Sequence, residues 1–376
     1  MVDELNITFL NVEHGDSIVI SSKKEGNTFW GLIDCNKISR NKKLINPALI
    51  YLKNKGVNEL SFLALTHMHS DHYYGLDEII AYFKINEVYL PPNFGLSFQQ
   101  FKNKKYDSFL KKIKDINCNT NDNIRLKLVS LFKFLFNLKN HKNCQILQGL
   151  ENRIKPKGFD DNLFLASILP PAKYNNDLLE QPIEFNDSNT NKTSISFEIR
   201  FADQIIILGG DTPRSNWLYH RKIHNKRENN LNANFYKVSH HGSKYDNDDS
   251  VLNYVFGNSI KDCKAHSYAI ISSDGISHPD LEVLDLFSTQ SIKPFCTNLS
   301  KNCSKVQGFN FEAAGSIPGG FLEQLSCFKT FVTPIACQGN IYLKITKKNV
   351  QINSENNLIC PYMFNSAQQH SDNTRA

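Results

Sequence analysis

The sequence predicts a mixed α/β (α+β) fold, a sandwich of two sheets with helices on the outside. Three observations predict it. Short apolar runs bounded by Gly, Pro, Asn and Asp recur in both halves of the chain. Helix-compatible stretches lie between those runs. Several runs end abruptly in His, Asp and Gly, as buried strands do where they feed functional loops.

Taken in order, Ile7–Val12, Asp16–Ser22 and Phe29–Asp34 read as strands, broken by His14-Gly15 and by Lys23–Asn27. A helix is expected over Pro47–Lys55, with proline at its start and Gly56 to stop it. Leu60–Thr66 is a buried strand running into a histidine-rich loop. Leu76–Phe83 reads as helix, and Glu87–Leu90 as a strand stopped by Pro91-Pro92. Leu163–Leu169, Ser194–Phe201 and Gln204–Leu208 are strands, the last two joined by a tight hairpin at Ala202-Asp203. Phe235–Val238 and Tyr268–Ser272 are further strands, each preceded by a helix-compatible stretch. One domain over residues 1–350 is expected, with an irregular insertion at about 299–333. A C-terminal segment, 351–376, follows it and ends in a polar, disordered tail.

At 376 residues, 40% hydrophobic and 21% charged, the chain can bury a substantial core. No apolar run approaches the ~18 residues of a membrane span. The start, Met1-Val2-Asp3-Glu4, lacks the basic and apolar regions of a secretory signal. Nine cysteines without a C-x-x-C pair argue against a disulfide scaffold or zinc ribbon, so a cytoplasmic location is expected.

Charge is unevenly spread. Residues 96–158 hold 14 Lys/Arg against 4 Asp/Glu, although the whole chain carries only +6. Within this block Phe98, Phe101, Phe109 and Leu110, then Leu126, Leu128, Leu131, Phe132, Leu135 and Phe136, recur at near-helical spacing. Two amphipathic basic helices joined around Asn117–Asn123 are expected, as an insertion over about 96–158. They are either a solvated face or a positive rim for a polyanion such as DNA or RNA, with Lys104, Lys105, Lys111 and Lys112 as candidate contacts.

The strongest chemical signal is Thr66-His67-Met68-His69-Ser70-Asp71-His72, placed directly after a buried strand. Histidine with aspartate suits one or two divalent cations, zinc or manganese above others. His67 and His69, two apart, can share a side; Asp71 and His72, one turn on, can serve a second ion. Asp211, in Gly209-Gly210-Asp211-Thr212, ends an apolar strand where a carboxylate could bridge two cations. Ser239-His240-His241-Gly242-Ser243 ends another, and His240, which leaves the strand first, is the expected ligand of the pair.

These motifs resemble the metallo-β-lactamase superfamily, and within it the hydrolase domain of the competence DNA-uptake protein ComEC. Asn11–Ser17 resembles that branch's V-G-Q-G-D-S, with His14 where Gln is usual and Asp16 as its acidic residue. Gly31–Cys35 resembles L-I-D-x-G, which implies that Asp34 buttresses the site from behind the ligands. Leu165–Pro170, Asn191–Ile195 (with Asn191 and Ser194 near the site), Gly210-Asp211-Thr212, the His-His turn, Ser277-His278-Pro279 and Gly339-Asn340-Ile341 follow in family order. The resemblance implies an αββα four-layer sandwich. It covers roughly residues 5–346, interrupted by the basic block and by 299–333.

One departure matters. Many members supply a third histidine to the first metal from a loop before the bridging Asp; here that loop has Asn191, Thr193 and Ser194. His141 is the only other histidine between His72 and Asp211. The expected chemistry is hydrolysis by a metal-bound hydroxide, with Asp71 orienting the nucleophile, His278 as acid or electrophile, and Ser243 near a phosphate. A phosphodiester in nucleic acid or nucleotide is the expected substrate. A lactone- or thioester-type hydrolase and a non-catalytic module retaining the fold are the alternatives.

Overall fold

Two mixed sheets face one another, each strand burying alternate side chains toward the other sheet or toward outer helices. The computed structural model describes residues 1–91, 122–139, 141–147, 151–159, 162–168, 190–224, 230–257, 267–273, 277–298 and 338–356. Along the chain come β1 (Val2–Phe9), β2 (Ile18–Lys24), β3 (Asn27–Ile33), β4 (Ile38–Arg40), β5 (Lys43–Ile45), α1 (Pro47–Asn54), β6 (Glu59–Ala64), α2 (Ser70–Tyr73), α3 (Leu76–Tyr82) and β7 (Lys84–Leu90). Then follow α4 (Asp122–Lys139), β8 (Cys144–Ile146), β9 (Glu151–Arg153), β10 (Phe164–Ile168), β11 (Ser196–Phe201), β12 (Gln204–Leu208), α5 (Arg214–His224) and β13 (Phe235–Lys237). The chain continues with α6 (Asp249–Phe256), β14 (Tyr268–Ile271), α7 (Leu281–Thr289), β15 (Lys293–Cys296), β16 (Ile341–Thr346) and β17 (Val350–Ser354).

The first sheet runs β17-β16-β1-β2-β3-β6-β7-β8, and the second β15-β14-β13-β12-β11-β10-β9. In the first, β3, β6, β7 and β8 are parallel; in the second, β12 to β15 are. The alternation is legible in β12: Ile206 and Leu208 enter the core between the sheets, and Ile207 faces the helices. Phe9, Ile20 and Phe62 meet Phe197, Ile199 and Leu208 in that central core. Outside the first sheet lie Ala48 and Leu52 of α1, Ile79 of α3 and Leu131, Phe134, Leu135 and Leu138 of α4. Outside the second lie Trp217 of α5, Val251 and Val255 of α6, and Leu284 and Phe287 of α7. The layers are therefore helix, sheet, sheet, helix: the αββα four-layer sandwich that the resemblance implies.

Local signals explain most boundaries. Asn46 caps α1 by accepting from Leu49 N at 3.1 Å, and Asp248 caps α6 by accepting from Val251 N at 3.0 Å. Ala202 and Asp203 both adopt positive φ, the geometry a two-residue hairpin needs between β11 and β12.

Three expectations are corrected. Residues 144–158 are not all insertion, because β8 and β9 pair on the edges of the two sheets. The 350/351 boundary fails, because Val350–Ser354 pairs with Ile341–Thr346, so regular structure reaches Ser354. In α4 the buried stripe is Leu128, Leu131, Phe134, Leu135 and Leu138, while Leu126 and Phe136 are exposed. The first expected basic helix, the 299–333 insertion and the polar tail lie outside the described residues, as do Lys104, Lys105, Lys111 and Lys112. Among the described residues no helix is long and apolar enough to cross a membrane.

Candidate metal centre

Every residue of the central cluster except one leaves the carboxyl end of a parallel strand, the edge where open α/β sheets bind ligands. Asp34 follows β3, Thr66 to His72 follow β6, Asp211 follows β12 and His241 follows β13. The exception, His14, comes from the loop between antiparallel β1 and β2.

Four donor atoms form a ring, each close to two of the others. His72 Nε2 lies 3.6 Å from Asp71 Oδ2 and 3.4 Å from Asp211 Oδ1. His241 Nε2 lies 3.5 Å from Asp71 Oδ2 and 3.6 Å from Asp211 Oδ1. A tetrahedral shell with ligand bonds of ~2.0–2.2 Å has edges of roughly 3.3–3.6 Å. Each of the four separations has the length of one edge of such a shell. Asp211 also turns Oδ2 toward His67 Nε2, 3.6 Å away, which places it between two positions. His67 Nε2, His72 Nε2, His241 Nε2 and Asp211 Oδ1 are buried without a hydrogen-bond partner. Buried polar atoms that converge unpaired fit a cation, because each would otherwise forfeit its hydration uncompensated.

The ring orientations are set from behind. Asp34, fully buried, accepts from Thr66 N at 2.8 Å and from Thr66 Oγ1 at 2.7 Å. Its Oδ2 also lies 2.7 Å from His72 Nδ1, so that nitrogen carries the proton and Nε2 points at the carboxylates. Thr66 Oγ1, having donated to Asp34, accepts from His67 Nδ1 at 3.0 Å. One threonine and one aspartate thus select the tautomer of two histidines.

The electrostatics are those of a metal-free ligand set. Burial opposes a charge on His72, but Asp211, Asp71 and Asp34 outweigh it and hold its pKa well above the usual histidine value. Burial, then the neighbouring His72, keeps His67 well below that value, in its neutral ligand form. Burial opposes ionisation of Asp71 and Asp211 as well, yet the surrounding histidines hold both well below the usual carboxylate range. Burial raises the pKa of Asp34.

The His-His turn overturns the preference for His240. His240 and His241 both adopt left-handed backbone, φ 48° and 55°, a conformation rare for non-glycine residues and common at functional sites. The turn sends His241 into the carboxylates, while His240 Nδ1 meets Asp246 Oδ2 at 2.6 Å. Gly242, at φ 87°, completes it; a Cβ there would lie 2.7 Å from Pro279 Cβ. The His278 ring lies 6.0 Å from that of His240, and its Nδ1 lies 3.8 Å from Asp280 Oδ2. His69 packs edge-on against His67, their rings 4.7 Å apart.

The remaining expected residues act on backbone or lie aside. Ser194 Oγ accepts from Asp211 N at 3.0 Å and so fixes the bridging turn. Asn191 is buried in the single turn Thr190–Thr193, its carbonyl accepting from Ser194 N. Ser243 is buried, and its carbonyl accepts from Asn247 Nδ2 at 2.8 Å. His141 Nε2 meets Ile85 O at 2.9 Å, at the first sheet's edge.

Three participants were not singled out as site residues from sequence. Thr66 opens the histidine motif, but its spacing assigns it no role. Lys237, fully buried in β13, forms an ion pair with Asp16 and reaches Gly210 O at 3.4 Å. A lysine inside an otherwise apolar strand is the signal that could have found it. His14 Nε2 lies 3.1 Å from Asp71 Oδ2.

No family model matches the chain, and no curated protein matches it. Solved structures do resemble it. A diphosphatase of the PhnP family aligns over 92% of this chain and 100% of its own, at 11% identity and a TM-score of 0.37. Zn(2+)-bound PqqB from Methylobacterium extorquens aligns over 74% of this chain and 84% of its own, at 10% identity and 0.35. A variant of the CmlA beta-hydroxylase covers 76% of this chain and half of its own length, at 10% identity and 0.37.

Proposed function

We propose that this chain is a metal-dependent hydrolase of the metallo-β-lactamase type, acting on phosphodiesters of nucleic acid or nucleotides. The observation that carries the proposal is the convergence of Asp71, His72, Asp211 and His241, with His67 beside the second oxygen of Asp211. A zinc or manganese ion bound there would supply a lowered pKa for bound water and charge neutralisation at the attacked group. Asp71 and Asp211, both held ionised in the buried cluster, would hold the cation. His278, whose ring lies 6.0 Å from that of His240, is the proposed group to hydrogen-bond a non-bridging oxygen or protonate a leaving group. The ComEC-like motif order and the basic block favour a phosphodiester over a lactone or thioester. In the described part of that block, Arg125 and Lys133 of α4 are exposed.

The test is a screen of zinc- and manganese-loaded protein against bis-p-nitrophenyl phosphate, single-stranded DNA and lactones. Cleavage of the diester and of DNA, lost in Asp211→Ala, is the expected result. Binding to single strands should weaken with salt at a log–log slope of ~0.7 per phosphate contact. Lactone hydrolysis alone would overturn the substrate class. No hydrolysis by metal-loaded protein would favour a non-catalytic module.

A further inference from the structure

We infer that His14 is a ligand of the second cation position, beside Asp71 and His241; this rests on the metal reading above. The donors of the centre sort into two groups of three, each with its ligand atoms within 4.8 Å of one another: His67, His72 and Asp211; and His14, Asp71 and His241. His14 Nε2 lies 3.1 Å from Asp71 Oδ2, and its ring lies 4.7 Å from that of His241, tilted by 43°. An imidazole added to a nitrogen-and-carboxylate set suits zinc and manganese alike.

The loop that carries His14 is built to hold it there. Gly15, at φ 99°, brings the backbone so close that a Cβ would stand 2.0 Å from Asp71 O. Asp16 N donates to that same oxygen at 3.3 Å. Asn36 Nδ2 donates to His14 O, and Asn36 N donates to Ser17 Oγ at 2.9 Å. Asn11, upstream, accepts from Glu13 N at 3.1 Å and donates to Asn298 Oδ1 at 2.8 Å. Three successive residues, 14 to 16, therefore grip Asp71, and the ring's ordering cost is met before an ion arrives. The His14 side chain is half exposed, at 51%, which puts it on the solvent side of the centre.

The consequence is an asymmetric centre. His14, Asp71 and His241 serve one position and His67, His72 and Asp211 the other, so only the first gains a half-exposed imidazole.

The experiment uses the full chain and two variants, His14→Gln and His14→Phe. Glutamine keeps an amide that can donate to Asp71 but removes the imidazole; phenylalanine removes both. Zinc affinity is measured by chelator competition, and cobalt-loaded protein is read by its visible absorption. Both variants should fold, since His14 is half exposed, and unchanged far-ultraviolet circular dichroism checks this. Both should lose at least about 100-fold in affinity for the ion beside Asp71 and His241, and change the cobalt spectrum. Wild-type affinity and spectrum in His14→Gln would overturn the inference and leave His14 as a hydrogen-bond partner of Asp71. Wild-type protein that binds neither zinc nor cobalt would instead remove the metal reading itself.

Discussion

Asp34 Oδ2 stands 2.7 Å from His72 Nδ1, with both side chains fully buried. That contact joins the end of β3 to the loop after β6 and commits His72 Nε2 to the cluster of carboxylates. Asp34→Asn preserves volume and an acceptor for Thr66 N but weakens the hold on both histidine rings. Zinc affinity should fall ~10–100-fold while the fold is retained, measured by chelator competition and circular dichroism. Unchanged affinity would mean that the ring orientations are set elsewhere.

The His-His turn makes a paired prediction. His241→Ala removes a buried ring nitrogen that faces both Asp71 and Asp211, so the ion beside Asp71 should be lost. His240→Ala breaks the 2.6 Å contact with Asp246 but takes nothing from the four-atom ring. Metal analysis after dialysis should therefore separate the two variants. Equal metal loss in both would place His240 among the ligands.

What was legible in the sequence was what lies close together along it. His67, Asp71 and His72 occupy one short loop, so their spacing alone marks a cation site. Asp211 and the His-His pair were legible as polar ends of apolar strands. The choice between His240 and His241 was not, because it depends on two consecutive left-handed residues that no spacing reports. His14 and Asp71 meet across 57 positions, through a loop whose course depends on Gly15. The sandwich was legible from alternation, which three-residue β8 and β9 are too short to display, and β15 carries a proline that argues against a strand. The largely exposed β17 buries too little to show it.

The titration of the centre has a definite sign. In the metal-free protein His72 is held above its unfolded value of ~6.5, so it adds stability that is complete below that value. That contribution is lost as pH rises through the folded pKa. Asp71 and Asp211 act oppositely: theirs is present above ~3.9 and lost as pH falls through their depressed folded values. An ion must displace the proton on His72 Nε2, so metal affinity should rise with pH until His72 is neutral. Calorimetry at pH 7 in two buffers of different ionisation enthalpy should show about one proton released per ion. Binding without proton release would place His72 in its neutral form beforehand.

The buried ion pair between Lys237 and Asp16 makes the last prediction. Neither side chain reaches solvent, and the ammonium also lies 3.4 Å from Gly210 O, next to the bridging Asp211. The pair therefore connects the loop that grips Asp71 to the turn that presents Asp211. Lys237→Met leaves Asp16 charged and unpaired, which should destabilise the protein by roughly 3–5 kcal/mol, read from denaturant midpoints. Asp16→Asn should cost a similar amount by leaving the lysine unpaired. The double variant removes both charges and should recover a large part of the loss, because partners in one contact are not additive. Its metal affinity should nevertheless stay below wild type, since the two segments that place Asp71 and Asp211 are no longer tied. Additive losses in the double variant would show that the two residues act separately. Wild-type metal affinity in it would reduce the pair to a contributor to stability alone.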